Sequence, residues 1–296
     1  MADITRTSAA AFVPQIWANT ALEVLRANIF LAKLVTRDTD VTPFQVGDTL
    51  NIPYPGTFVA NDKAANTSVT YQVPTGSTSQ VVLNKHKEVS FIVEDAVRAL
   101  ANQDVMQRYV TAGMVALAEQ IESDLLGLYT AFTYTTGTGG TDLSASTLRS
   151  TRKLMNDNKA PKGNRAIIIS DKDEIALLGD STLQQYFAFQ KPEAIAAGSI
   201  GKLFGFDLYQ SQLVPFATNT KNLAFDPGAI ILASRGLPDA PAGSGAATSV
   251  VTDPVSGLTL RCTMAYSAQN LGVQVTLDAL YGVAKLRNEK AVVVLS

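Results

Sequence analysis

The chain has 296 residues and a mass of 31.4 kDa, with 24 Lys and Arg against 26 Asp and Glu, a formal net charge of -2. That length accommodates one large domain or two smaller ones, and the near-neutral balance excludes a dedicated nucleic-acid binder, which needs a basic excess to release counterions from phosphates. Apolar residues make up an ordinary 46%, but the charged fraction of 17% lies below the ~25% of a typical soluble protein, which points to surface buried between chains.

The start, MADITRTSAAAFVPQIW, has neither the basic nor the apolar region of a signal peptide, and no later run reaches the ~18 apolar residues of a membrane span. A soluble, intracellular chain is expected. Between Ile16 and Val35, Ile16, Leu22, Leu25, Ile29, Phe30 and Leu34 recur mostly at steps of three and four, the spacing of one short amphipathic helix or two broken ones. Trp17 reads as an aromatic anchor for this arm.

From Val46 to Val93 the pattern is extended. Residues 47–53 begin an outgoing strand, and Val81, Leu83, Lys85, Lys87, Val89, Phe91 and Val93 share one face of a returning strand at period two. The intervening GTFVANDKAANTSVTYQVPTGSTSQ has too few large apolar residues for a core of its own. A hairpin this long either lies against something outside its own domain or is a disordered surface loop. Asn66-Thr67-Ser68 matches a glycosylation acceptor that carries no meaning without a secretion signal. His86, the only histidine, excludes every multi-histidine metal site. Flanked by Lys85 and Lys87, with no neighbour in sequence to orient its ring, it reads as a solvated strand residue rather than a catalytic base.

Met106, Val110, Met114, Leu117, Ile121, Leu125, Leu128 and Phe132 trace one continuous stripe, a helix capped by Asn102 or Asp104. About 28 residues make a rod of about 40 Å, long enough to serve as a spine. Glu119 and Glu122 on it lack the histidines of a di-iron site and read as solvated carboxylates. After the glycine-rich turn of residues 136–140, Ser144 caps a helix to Asn156 with Leu148, Leu154 and Met155 as apolar contacts, and Pro161 marks its end. Residues 165–169 are a buried strand, and Ser170 and Asp173 open another helix. Asp171, Asp173 and Glu174 lack the spacing and glycine of a calcium loop, so they read as compensation of the helix dipole.

The glycines of residues 198–205 fail as a phosphate loop, because Leu203 follows Lys202 where Ser or Thr is required and a strand, residues 206–209, follows where a helix is required. They read as turn residues. The remainder from Asn222 is mostly strand, at 229–233, 259–266, 273–280 and 291–295, with a low-complexity loop at 239–247. The single Cys262 excludes an intrachain disulfide and a Cys-rich zinc site.

An arm, a long extended hairpin, a spine helix, a mixed α/β domain and a returning strand, in that order and without a catalytic constellation, resemble the major capsid protein family of tailed bacteriophages. The resemblance covers nearly the whole chain and is carried by LRANIFLAKLVTRD from Leu25, VGDTLNIP from Val46, FIVED from Phe91, LAEQIESDLL from Leu117 and GSIGKLFGFDLYQS from Gly198. It implies an α+β, phage major-capsid-like fold: an N-terminal arm at 1–45, an extended β-hairpin loop at 46–93, a peripheral domain with the spine helix at 94–160, a mixed α/β axial domain at 161–270, and C-terminal strands at 271–296 returning to the peripheral domain.

It also implies a structural subunit and not an enzyme, self-assembling through pentamers and hexamers into an icosahedral shell around phage DNA. The location is the virion, after assembly in the host cytoplasm. No cofactor, metal, membrane or sequence-specific DNA contact is implied, and a portal and a decoration protein are the expected accessories. The arm begins almost at once, so scaffolding is expected from a separate protein. Some relatives cross-link a lysine to an asparagine of another subunit; Lys63 lies near the hairpin tip, but no such site is assigned. Two other readings stand beside this one: an encapsulin-type nanocompartment packaging a cargo enzyme, and a nucleotide-dependent α/β enzyme resting only on the loop at 198–205.

Overall fold

The computed structural model describes residues 18–25, 29–38, 49–54, 56, 58–73, 76–96, 104–181, 183–184, 201–241 and 243–296. Ile16, Trp17, Asn102, the Val46–Asp48 opening of the hairpin and Gly198–Ile200 lie outside these residues, as does the side chain of Met106.

The arm is two short helical pieces, α1 over residues 18–25 and α2 at Leu31–Leu34, which run into strand β1 (Thr36–Asp38). Leu22, Leu25 and Ile29 are buried, as their spacing requires. The hairpin begins with β2 (Thr49–Tyr54) and returns through β3 (Ser77–Val82) and β4 (Lys85–Glu94). From residue 81 to 94 the burial alternates with every odd position turned inward, as the period predicts. The return is nevertheless not one strand: it breaks at Leu83–Asn84, because β3 pairs with β2 while β4 leaves it to pair with a strand of the body.

The spine helix α3 (Asp104–Leu126) buries Val110, Met114, Leu117, Ile121 and Leu125 along its stripe. It is shorter than the stripe alone suggests, because Gly127 starts a 3-10 turn (Gly127–Ala131) that carries Leu128 and delivers the buried Phe132. Gly113 sits where the spine crosses β4: a Cβ there would lie 2.9 Å from Val89 Cγ1, so only the missing side chain permits the approach. Asp124 ties the spine to the sheet. It accepts from the buried Tyr281 hydroxyl at 2.7 Å and pairs with Lys85 Nζ at 3.0 Å.

Strand β5 (Thr135–Gly137) lies partly within the segment expected as a glycine-rich turn; the turn proper follows at residues 138–141. Helix α4 (Ala145–Asp157) begins on Ser144, whose Oγ accepts from Thr147 N, and α5 (Asp171–Gly179) begins on Ser170, whose Oγ accepts from Asp173 N at 3.3 Å. Between them runs β6 (Ala166–Ile169). Then come β7 (Lys202–Leu203) and β8 (Phe206–Gln210), joined by the two-residue turn Phe204–Gly205 with φ of 48° and 81°. The last six strands are β9 (Lys221–Phe225), β10 (Ile230–Arg235), β11 (Ala246–Thr252), β12 (Thr259–Ser267), β13 (Gly272–Lys285) and β14 (Ala291–Leu295). Ala246 and Ala247, expected in the low-complexity loop, instead open β11, because they pair with Ala265 and Met264 of β12.

Two six-stranded sheets result. One runs β1-β10-β13-β12-β11 with β4 also on β13, and the other runs β5-β14-β9-β6-β8-β7. In the second sheet alternate residues face different cores. Ala166, Ile168, Leu223, Phe225, Ala291 and Val293 join the large core that holds the spine, while Ile167, Ile169, Ala224, Val292 and Val294 pack with Leu148 and Met155 of α4 and Leu177 of α5. Covered on both faces, these strands are continuously apolar. Each sheet gathers segments far apart in sequence, since β14 returns to the layer of β5 and β6 after β10–β13 have built the other.

Candidate assembly surface

The root of the hairpin is anchored. Val81 packs with Ile231 and Ala233 of β10, beside Leu50, Ile52, Leu83 and Ala284. Ser79 Oγ donates to Leu286 O at 2.9 Å, and the Arg287 guanidinium lies 5.2 Å from the Tyr54 ring centroid. Beyond this root every residue from 58 to 73 is exposed. A turn at residues 64–67 shapes the tip, with Asn66 at φ 61°, Thr67 Oγ1 donating to Ala64 O at 2.9 Å and Lys63 Nζ donating to the same oxygen at 3.0 Å. In the middle, the Gln72 amide bridges the two arms: Val59 N donates to Gln72 Oε1 at 2.9 Å and Gln72 Nε2 donates to Val59 O at 2.5 Å.

The arm is held by a residue that the sequence reading placed in solvent. Glu122 is only 4% exposed, and its Oε1 accepts from Phe30 N at 2.7 Å and Leu31 N at 3.1 Å, satisfying two donors at the start of α2. Burial raises its carboxyl above the ordinary glutamate value; the two N–H bonds and Lys33 oppose that rise, and Glu119 adds to it. Glu119 itself is exposed, as expected. The signal in the sequence is positional: Glu122 is four residues from both Ala118 and Leu126, inside the apolar stripe.

The residues weighed for chemistry fall into structural roles. His86 is half-exposed, but it does have a partner, from a distant strand: its Nε2 lies 2.8 Å from Asp278 Oδ2. Asp278 is buried and also accepts from Arg261 Nε at 3.1 Å and Nη2 at 2.6 Å, so the cluster staples β4, β13 and β12. Asp173 is fully buried rather than a surface charge at a helix end; its Oδ2 accepts from Ser170 Oγ, Asn222 Nδ2 and Ser296 Oγ, tying α5 to β9 and to Ser296. Gly201 and Gly205 lie in turns at positive φ and feed β7 and β8. Among the described residues no group of three or more His, Cys, Asp and Glu is placed to hold a metal, and no helix is long and apolar enough to cross a membrane. The Cys262 thiol is buried, and desolvation, with Asp278 nearby, pushes its pKa up to about 12, so it is not a nucleophile.

No protein-family model matches the chain, and no curated protein matches it. Solved structures do. A structure from Mycobacterium phage Che8 is similar over 90% of each chain at a TM-score of 0.67 and 19% identity. The capsid structure of cyanophage P-SCSP1u is similar over 90% of this chain and 88% of its own at 0.67 and 17% identity. A virus-like particle from Pyrococcus furiosus is similar over 95% and 98% at 0.54 and 12% identity. The chain therefore has the phage major capsid protein fold, of α+β class.

Proposed function

We propose that this chain is a structural shell subunit, the major capsid protein of a bacteriophage, which self-assembles through pentamers and hexamers into an icosahedral shell enclosing DNA. The observation that carries the reading is the hairpin: a long projection rooted firmly in a protein of capsid fold, with no cover from its own body. The body bearing α4, α5 and the β5–β14 sheet is the axial part that clusters around the capsomer axis, and the spine with the β4–β13 sheet is the peripheral part. A net charge of -2 accords with DNA enclosed in bulk and not read by sequence. A separate scaffolding protein, a portal and a decoration protein are the partners of this reading, with assembly in the host cytoplasm and the virion as destination.

A second reading, an encapsulin-type compartment that packages a cargo enzyme, is favoured by the match to the Pyrococcus furiosus particle along almost the whole of both chains. Electron microscopy of the purified protein, produced with its neighbouring genes, separates them. Closed shells filled with nuclease-protected DNA are expected. Shells holding a protein cargo favour the second reading, and a monomer at high concentration with scaffold present refutes both.

A further inference from the structure

Beyond its root the hairpin divides into two chemical zones. The tip, residues 61–68, is polar, with Asn61, Asp62, Lys63, Asn66, Thr67 and Ser68 around the turn. The middle is apolar and uncharged: Phe58, Val59, Val69, Tyr71 and Val73 are exposed by between 57% and 93%. Val69, Tyr71 and Val73 alternate, so in an extended segment they stand on one side. Water cannot be stripped from such a strip unless the peptide groups beneath it find other partners. The Gln72 clamp supplies them at Val59, whose N–H and C=O both bond to one side-chain amide, as a paired strand residue would. The middle zone is thus prepared to become dry, and the tip is not.

A matching apolar surface lies elsewhere on the chain. Tyr109, Tyr266 and Leu271 are each more than half exposed around one end of the β4–β13 pair, where Gly272 faces Glu94 and the Tyr109 ring packs on Phe91 at 5.8 Å. The hairpin leaves the same pair at the opposite end, where Lys85 faces Tyr281, about 30 Å away at the rise of a strand. We infer that the middle of the hairpin of one copy docks on the Tyr109, Tyr266 and Leu271 patch of a second copy, with Gln72 as a positioning residue. The inference rests on the shell-subunit reading and deepens it. A second copy is the occupant because strip and patch, both uncharged and aromatic or aliphatic, sit at opposite ends of one sheet. A head-to-tail contact of this kind, repeated by rotation, closes into rings.

The test mixes Tyr71→Cys chains with tagged Leu271→Cys chains, assembles them, and treats the shells with a short bis-maleimide; Tyr109→Cys serves as a second acceptor, and Ile175→Cys, exposed on α5, as the control. Covalent heterodimers between Tyr71→Cys and the Leu271→Cys or Tyr109→Cys chains, in shells and not in unassembled subunits, are the expected result. Shells in which Tyr71→Cys couples to neither acceptor, or as readily to Ile175→Cys, overturn the inference while leaving the shell reading intact. Failure of the unaltered chain to form shells overturns the shell reading and the inference with it. Gln72→Ala is expected to melt like the unaltered chain but assemble about tenfold more slowly, the size of one or two hydrogen bonds that gain strength when dried. Gln72→Glu, which keeps the acceptor and loses the donor, restores part of the rate. Unchanged assembly by Gln72→Ala removes the residue's positioning role.

Discussion

Glu122 Oε1 accepts the backbone N–H of Phe30 at 2.7 Å, across 92 residues of sequence, so a buried carboxylate of the spine caps a helix of the arm. Replacing it by alanine orphans that donor and the Leu31 N–H beside it, at a cost of about 1–3 kcal/mol, concentrated in the arm. Hydrogen exchange should show residues 29–35 losing protection before the spine does.

The same residue sets a pH dependence. Its folded-state pKa is raised by burial, so the folded chain holds the proton more tightly than the unfolded chain. Its contribution to stability is therefore fully present below the ordinary value of 4.5 and is lost as pH rises through the higher folded value. Glu122→Gln stays neutral and keeps a carbonyl acceptor. Denaturant titrations of the two proteins across this range should converge toward low pH, with the unaltered chain losing ground relative to the variant as pH rises.

Ile121 is fully buried at the centre of the spine's stripe. Ile121→Asp places an unpaired charge there at a cost of several kcal/mol, comparable with the whole stability of a domain. Insoluble or non-melting protein is expected; normal yield with an unchanged melting temperature would show that the stripe does not hold the subunit together.

Deleting Asn61–Gly76 removes no buried side chain among the described residues and leaves the β2–β3 pairing intact. Loop closure depends weakly on length, so the subunit should fold and melt as before. Shells should fail to form or break readily, because the projecting contact is gone. Light scattering and calorimetry on one preparation decide between a folding role and an assembly role.

Asp278 has two partners of unequal weight. Arg261 is mostly buried and holds it by two hydrogen bonds, whereas His86 is half in water. Arg261→Ala strands a buried carboxylate and should cost about 3–5 kcal/mol, while His86→Ala removes a solvent-screened contact and should cost under about 1 kcal/mol. Comparable losses in urea unfolding would mean that the histidine carries more of the staple than its exposure suggests.

The sequence by itself determined the elements whose signal is local or periodic. The stripe from Val110 to Phe132, the alternation from Val81 to Val93, the Ser144 and Ser170 caps and the glycine turn before β8 all follow from side-chain spacing and backbone preference within a few residues. The hairpin's poverty in core residues likewise announced that its cover must come from elsewhere. What only the tertiary structure decided depends on contacts between distant segments. The break at Leu83–Asn84 exists because β3 and β4 have different partners, and β14 joins β5 and β9 because the second sheet needs an apolar strand with both faces covered. Glu122, Asp173 and His86 read as solvated charges in sequence because their partners lie 92, 49 and 192 residues away. A polar side chain's cost or value is set by whether a donor meets it after burial, and no local pattern encodes that meeting.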